Sequence, residues 1–167
     1  MNKNLELILV ERFPTLFAQY GGSPQETCMA WGCAHGDGWF KILEALCELI
    51  TAHENSIVEN NARKRVWNTN AETPEFQKEV EHLFAPNPIP IRPLIEYTPV
   101  TFGQIKEKFG TLCIYWSGGD EFVDGAVDMA EKMSAITCEE CGMPGKIRRG
   151  GWIHVSCDKC HKKGRTQ

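Results

Sequence analysis

Two cysteine pairs, Cys138-x-x-Cys141 and Cys157-x-x-Cys160, carry the strongest chemical signal in the chain, and fifteen residues, Gly142 to Ser156, separate them. A Cys-x-x-Cys turn makes its two sulfurs converge, so two such knuckles close a tetrahedron around one metal ion. Between them "KIRRGGWIHVS" reads as strand, turn, strand, with Gly150 and Gly151 supplying the positive φ angles of a tight hairpin. Knuckle, hairpin and knuckle describe a zinc ribbon holding one structural Zn2+. The alternative ligand set exchanges Cys160 for His161; the repeated knuckle favours all four cysteines. A thioredoxin-like dithiol fits less well, because neither pair opens a helix after a strand, the setting that lowers a thiol pKa. Four thiolates leave no open coordination position, so the metal's expected role is structural and not catalytic. Too few apolar residues lie between 138 and 160 to form a core, and metal binding would supply the folding free energy.

The same segment holds a candidate contact set. Lys146, Arg148 and Arg149 approach the hairpin tip and Trp152 leaves it, a pattern able to hold phosphates and stack a base. The plainer reading is a solvated hairpin whose Trp152 packs on the helix before Cys138. Charge bears on the choice. Residues 138–167 hold seven Lys or Arg against three acids, a net of +4, so the rest of the chain carries −8 of the overall −4. Four thiolates on one divalent ion contribute −2, which reduces the basic excess of the metallated tail to about +2.

Two other stretches offer candidates. In "CMAWGCAHGDGWF", Cys28, Cys33 and His35, with Cys47 further on, would make a second metal site, but their spacing matches no metal rule, and buried cysteine is a common small hydrophobe. His35 and Asp37 would make an acid–base pair; Asp37 as a helix N-cap is the simpler account. Trp31 and Trp39 read as core or pocket wall. Across "KEKFGTLCIYWSGGD", Lys106, Lys108, Tyr115, Trp116 and Asp120 would line a pocket for an anionic aromatic ligand, with the amides of Gly118-Gly119 beside them. Core packing accounts for the same residues.

These groups need elements to position them. Residues 4–18 show helical spacing broken at Pro14. Trp39, Ile42, Leu43, Leu46, Leu49, Ile50 and His53 follow the i, i+3, i+4, i+7 pattern of a helix burying one face, and "ENSIVENNARKRVW" either extends that helix or starts another with a more polar surface. Thr73-Pro74 starts another, with Phe76, Val80, Leu83 and Phe84 in one stripe. "APNPIPIRPLIEYTP" holds five prolines and must be an extended surface connection, residues 85–99. "QIKEKFG" reads as a short helix closed by Gly110, "TLCIYW" as a strand, and "EFVDGAVDMAEKMSAI" as a helix capped by Asp120 with Val123, Val127, Ala130 and Met133 facing inward. The expected fold is α+β: a helix-rich domain over 1–136 with a short strand segment, then a zinc-ribbon hairpin and basic tail over 137–167.

At 167 residues, 42% apolar and 24% charged, the composition is that of an ordinary globular chain, not a disordered one. The apolar run in "MNKNLELILVER" is interrupted by Glu6 and Glu11 and is too short for a signal peptide, and no run approaches a membrane span. With cysteines grouped as metal pairs instead of spread staples, the expectation is a reducing cytoplasm.

Three stretches, "ETCMAWG…GDGWF", "IKEKFGTLCIYWSGGDE" and "MSAITCEECGMPGKIRRGGWIHVSCDKC", resemble a family of small proteins encoded by tailed phages and prophages. The likeness spans most of 11–50 and 100–160. Its tryptophan–glycine motif falls on Trp31, Gly32, Gly36, Asp37, Gly38 and Trp39, and its cysteine pairs on Cys138, Cys141, Cys157 and Cys160. Where relatives tend to read Phe-Glu-Cys, this chain has Cys33-Ala34-His35. The resemblance implies an accessory protein in the cytoplasm of an infected bacterium, acting by binding. The first expectation is a non-catalytic, zinc-stabilised binder of nucleic acid or of a host protein. The second is an oligomeric sponge for a nucleotide-like immune signal, a counter-defence role with Trp31, Trp39, Lys106, Lys108, Tyr115 and Trp116 as its pocket. The third is an enzyme on nucleic acid or nucleotides using His35 and Asp37.

Overall fold

The computed structural model describes residues 1–164; Arg165, counted above with the basic tail, lies outside them. Helix α1 (Lys3–Arg12) starts where the Asn2 side chain accepts from the Asn4 amide and ends before Pro14. After two short 3-10 turns and a two-residue strand β1 (Cys33–Ala34), helix α2 runs unbroken over Phe40–Ala71, and Pro74 opens α3 (Pro74–Phe84). Strands β2 (Thr101–Lys108) and β3 (Thr111–Ser117) form an antiparallel hairpin, and β1 joins it in parallel beside β2, with Cys33 opposite Ile105. Helix α4 (Glu121–Ser134) follows; the Asp120 carboxylate accepts from the Phe122 and Val123 amides as its N-cap. The ribbon closes the chain with β4 (Lys146–Arg148), β5 (His154–Ser156) and the short α5 (Asp158–Lys163). Cys157 N-caps α5, so the second cysteine pair does open a helix after a strand, contrary to the expectation above. The fold is α+β, as expected.

Contacts divide the chain into two units, residues 1–51 with 98–164, and residues 52–97. The ribbon, expected as a separate module from 137 on, belongs to the first of them. That unit buries one core: Leu9, Phe13, Leu16 and Phe17 from the N-terminal segment, Trp39, Leu43, Leu46 and Ile50 from α2, Phe102, Ile105, Leu112 and Ile114 from the hairpin, and Val123, Val127 and Ala130 from α4. Phe17 meets Phe102 edge to face with ring centroids 5.3 Å apart, a favoured aromatic geometry. Met133, expected inside, is exposed, and Ser134 is buried in its place. Ser134 Oγ accepts from Leu112 N at 2.8 Å and Glu131 accepts from Ile114 N at 2.8 Å. Side chains of α4 thereby satisfy the outer edge of β3, which would otherwise offer bare amides.

The segment "QIKEKFG", expected as a short helix, is the second half of β2 and its turn. The pairing register shifts at Gly103, so Phe102 lies opposite Trp116 and Ile105 opposite Ile114, and both face the core. A one-residue bulge puts two inward residues three apart, a spacing that mimics a helix.

In the second unit, α3 packs across the end of α2, and Phe76 and Phe84 set their ring edges on Trp67 at 5.5 and 6.1 Å. The proline-rich arm is extended along α2, as its composition requires. Asn61 donates to Ile95 O and accepts from Ile95 N, both at 2.8 Å, and Asn68 does the same for Arg92 at 2.9 and 2.8 Å. Seven helical residues rise about 10.5 Å and three extended residues span about 9.5 Å, so two asparagines one heptad apart match two arm residues three apart. Trp67 Nε1 donates to Pro90 O at 2.9 Å and Arg92 stacks on its ring at 3.8 Å.

Candidate metal centre

The side chains of Cys138, Cys141, Cys157 and Cys160 each offer one sulfur, and all four sulfurs lie within 4.8 Å of one another. Metal–sulfur bonds of about 2.3 Å in a tetrahedron require sulfurs about 3.8 Å apart. The Cys141 and Cys157 sulfurs are 3.8 Å apart. Among the described residues this is the one cluster with metal-ligand geometry, and His161 is outside it. The donor set also suits a cation. The Cys160 amide, donating to Cys157 Sγ at 3.4 Å, brings the Cys157 thiol down to about 7, whereas the neighbouring sulfurs, Cys141 first, push Cys160 up to about 12. One thiolate forms readily and its neighbours then resist ionisation; a bound cation removes that conflict.

The first knuckle is seated in the segment that carries Gly36-Asp37-Gly38-Trp39. The Gly38 amide donates to Glu139 O at 2.7 Å, the Gly36 amide donates to Glu139 Oε1 at 3.1 Å, and Trp39 Nε1 donates to Thr137 O at 2.9 Å. A Cβ on Gly38 would lie 2.1 Å from Cys138 O and 2.5 Å from Gly142 N; one on Gly36 would lie 2.4 Å from Glu139 O. Neither position tolerates a side chain. The glycines admit the knuckle backbone, and the fully buried Trp39 forms the floor. The second knuckle is tied to the first through the Glu139 amide, which donates to Val155 O at 3.0 Å.

This cradle removes other roles from the segment. Asp37 is not an N-cap: Gly36 holds that position, and the Asp37 carboxylate accepts from the Asn2 amide at 2.5 Å. His35 is buried, with Nδ1 donating to Gly36 O at 2.8 Å, and burial brings its pKa down to about 4. It stays neutral against Trp39, ring centroids 5.7 Å apart. Cys33 and Cys47 are buried thiols whose burial pushes Cys33 up to about 12 and Cys47 up as well, so they remain protonated hydrophobes. Cys28 is exposed. Trp31, expected as core or pocket wall, is 78% exposed.

The basic contact set divides. Arg148, largely buried, bonds Ser156 O and meets Asp158 at 2.5 Å, whereas the exposed Lys146 meets the same carboxylate only at 3.4 Å; Arg148 is held on the ribbon. Trp152, whose plainer expectation was packing on α4, instead lines a groove of about 380 Å³ with Ile153, Gly151, Glu107, Lys108 and Phe109. Trp152 is 64% exposed and Phe109 is 74% exposed. Gly110 holds the two hairpins together: a Cβ there would lie 3.1 Å from Ile153 and 3.3 Å from His154. The groove thus unites Lys108 from one candidate set with Trp152 from the other. Of the rest, Lys106 lies over the Tyr115 ring at 5.1 Å on the outer sheet face, Trp116 packs against the core, and the Asp120 carboxylate is spent on its cap. Phe109 was not foreseen. The signal for it was a two-residue loop, Phe109-Gly110, between strand-like runs, had "QIKEKFG" been read as a strand.

No helix of the described chain is long and apolar enough to cross a membrane. No family model matches the sequence, and neither the curated proteins nor the solved structures yield a significant match.

Proposed function

We propose that this chain is a non-catalytic, zinc-stabilised binding protein that takes single-stranded nucleic acid in the groove between Phe109 and Trp152. The closed set of four thiolates suits Zn2+, which tolerates it without redox change, and such a set leaves the ion no position for substrate. The observation that carries the ligand is Phe109. Its φ of +53° is one that a bulky residue rarely adopts, and the turn it occupies normally takes Asn or Gly. An aromatic held there, three-quarters exposed and beside Lys108, costs stability without filling the core; strain of this kind concentrates at ligand contacts. Trp152 supplies a second exposed ring in the same groove. Base stacking on exposed aromatics flanked by cations is the usual means of gripping unpaired strands. The motif resemblance supports an accessory role in an infected bacterial cell. The enzyme reading loses both its residues to structural roles. The sponge reading survives only in this groove, because Trp39 is sealed in the core.

Anisotropy of a labelled oligothymidylate tests the proposal. Trp152→Ala is expected to weaken binding about tenfold or more, and Lys108→Ala to lower the salt slope by about 0.7. Phe109→Asn should weaken binding and raise stability by about 1 kcal/mol, because Asn suits the turn. Absence of saturable binding at low salt, or equal affinity in Trp152→Ala, overturns the reading. Competition by thymidine monophosphate as strong as by the oligomer would move it to the sponge.

A further inference from the structure

Beside the four sulfurs lies a pair of donors outside the thiolate set. A cavity of about 190 Å³ is lined by Glu140 from the first knuckle, His154 and Ser156 from β5, and Cys160, His161 and Gly164 from α5 and its end. The imidazoles of His154 and His161 stand 5.8 Å apart, centroid to centroid, with their planes 35° from parallel. An imidazole nitrogen binds Zn2+ at about 2.0–2.1 Å, which puts the ring centroid about 3.2 Å from the ion. Two rings on one ion are then about 5.2 Å apart at the tetrahedral angle and about 5.8 Å apart at an angle near 130°. The observed separation lies within the span of a shared ion.

Two details suit the pair to that use. His154 Nδ1 donates to Trp152 O at 3.1 Å. A neutral ring that donates from Nδ1 keeps its lone pair on Nε2, and a backbone carbonyl is a usual orienting partner of a metal-binding histidine. Ser156 Oγ is buried and has no hydrogen-bond partner among the described residues. Buried hydroxyls are rarely left so, and a water carried by an ion in the cavity would supply the missing partner. Charge selects the occupant. Glu140 brings a carboxylate, and among the described residues no lysine or arginine lines the cavity. Cys160 brings the edge of the four-thiolate set, which with one divalent ion retains a charge of −2. The lysines of α5, Lys159, Lys162 and Lys163, are exposed and outside the lining. This setting repels an anion and attracts a cation. We propose that His154 and His161, with Glu140 at the rim, hold a second divalent transition cation of the kind that prefers imidazole, bound more weakly than the ion among the thiolates. The ion ties β5 to α5, the helix that carries Cys160, and so braces the second knuckle.

The test uses untagged protein carrying one equivalent of Zn2+, titrated with further Zn2+ by calorimetry while the histidine ring signals are followed by NMR. One more equivalent is expected to bind, to shift the rings of His154 and His161, and to raise the melting temperature by mass action. His161→Ala and His154→Ala should each weaken this second event at least tenfold and leave the first equivalent in place. His161 is exposed, so its variant should fold as the parent does. His82→Ala, on the surface of α3, is the control, with the second event unchanged. Absence of a second event overturns the proposal, as does one that survives both variants or shifts other rings instead. Loss of the first equivalent in His161→Ala also overturns it, because His161 would then belong to the thiolate site. No nucleic acid enters the assay, so its outcome is independent of the Phe109–Trp152 groove.

Discussion

Replacing Gly38 by alanine tests whether the Gly-Asp-Gly-Trp segment is a seat for the metal knuckle. The added methyl would lie 2.1 Å from Cys138 O, 2.5 Å from Gly142 N and 2.7 Å from Cys141 N, all backbone atoms with no rotamer to yield. Either the knuckle retreats or α2 begins elsewhere. Overpacking of this kind costs about 1–3 kcal/mol. Retreat also breaks the Gly38–Glu139 bond at 2.7 Å and leaves Trp39 Nε1 without Thr137 O, which adds about 1–3 kcal/mol for a buried donor. The expected loss is about 4 kcal/mol, or a melting temperature lower by roughly 8–16 °C. Urea titration of the metal-loaded protein measures the first quantity. Competition with a chromophoric chelator should show weakened metal affinity in the same variant. Gly151→Ala is the control: φ is +64° but nothing lies within 4 Å, so the cost is backbone strain of about 1 kcal/mol with metal affinity preserved. Equal costs for the two substitutions, with equal metal affinity, would refute the cradle.

Removing the metal with a chelator should abolish exchange protection of the Cys138 and Glu139 amides, bonded to Met143 O and Val155 O, while the Phe102 amide on Leu16 O stays protected; uniform loss would mean that the metal supports the whole core. His35 has its folded pKa at about 4, below the ordinary value of about 6.5, so its contribution of about 3 kcal/mol is fully present above pH 6.5 and is lost as pH falls from there toward 4. Its ring signals by NMR should remain those of neutral imidazole at pH 5.5; a midpoint above 6 would contradict the buried environment. Ser134→Ala should cost about 1–3 kcal/mol in urea unfolding by stranding the Leu112 amide, and a loss under about 0.5 kcal/mol would mean that water replaces the hydroxyl.

The sequence announced features whose cause is local. The cysteine knuckles, the Asp120 cap, the Thr73-Pro74 start and the extended proline arm each follow from bonding rules within a few residues. Helix α2 was readable through His53 from its apolar period; the more polar stretch after it fitted either a continuation or a new helix, and it continues unbroken to Ala71. β2 was not, because the bulge at Gly103 placed Phe102 and Ile105 at a helical interval, and β1, at two residues, is too short to leave any pattern. The site was half readable. The ligands could be listed from spacing alone, but their seat could not, since Gly36 and Gly38 meet partners about a hundred residues away and a glycine's reason for being bare is written on the other chain segment. Arg148 looked available for a partner because Ser156 and Asp158, which hold it, lie eight and ten residues downstream.

The distance along the chain between Gly36 and Glu139 has a consequence for biosynthesis. During translation the Trp39 segment emerges long before the strand of residues that completes it, so its indole and two glycine amides wait in an unfinished wall. Closure must wait until the last cysteine pair has left the ribosome and Glu139 can meet the two glycines.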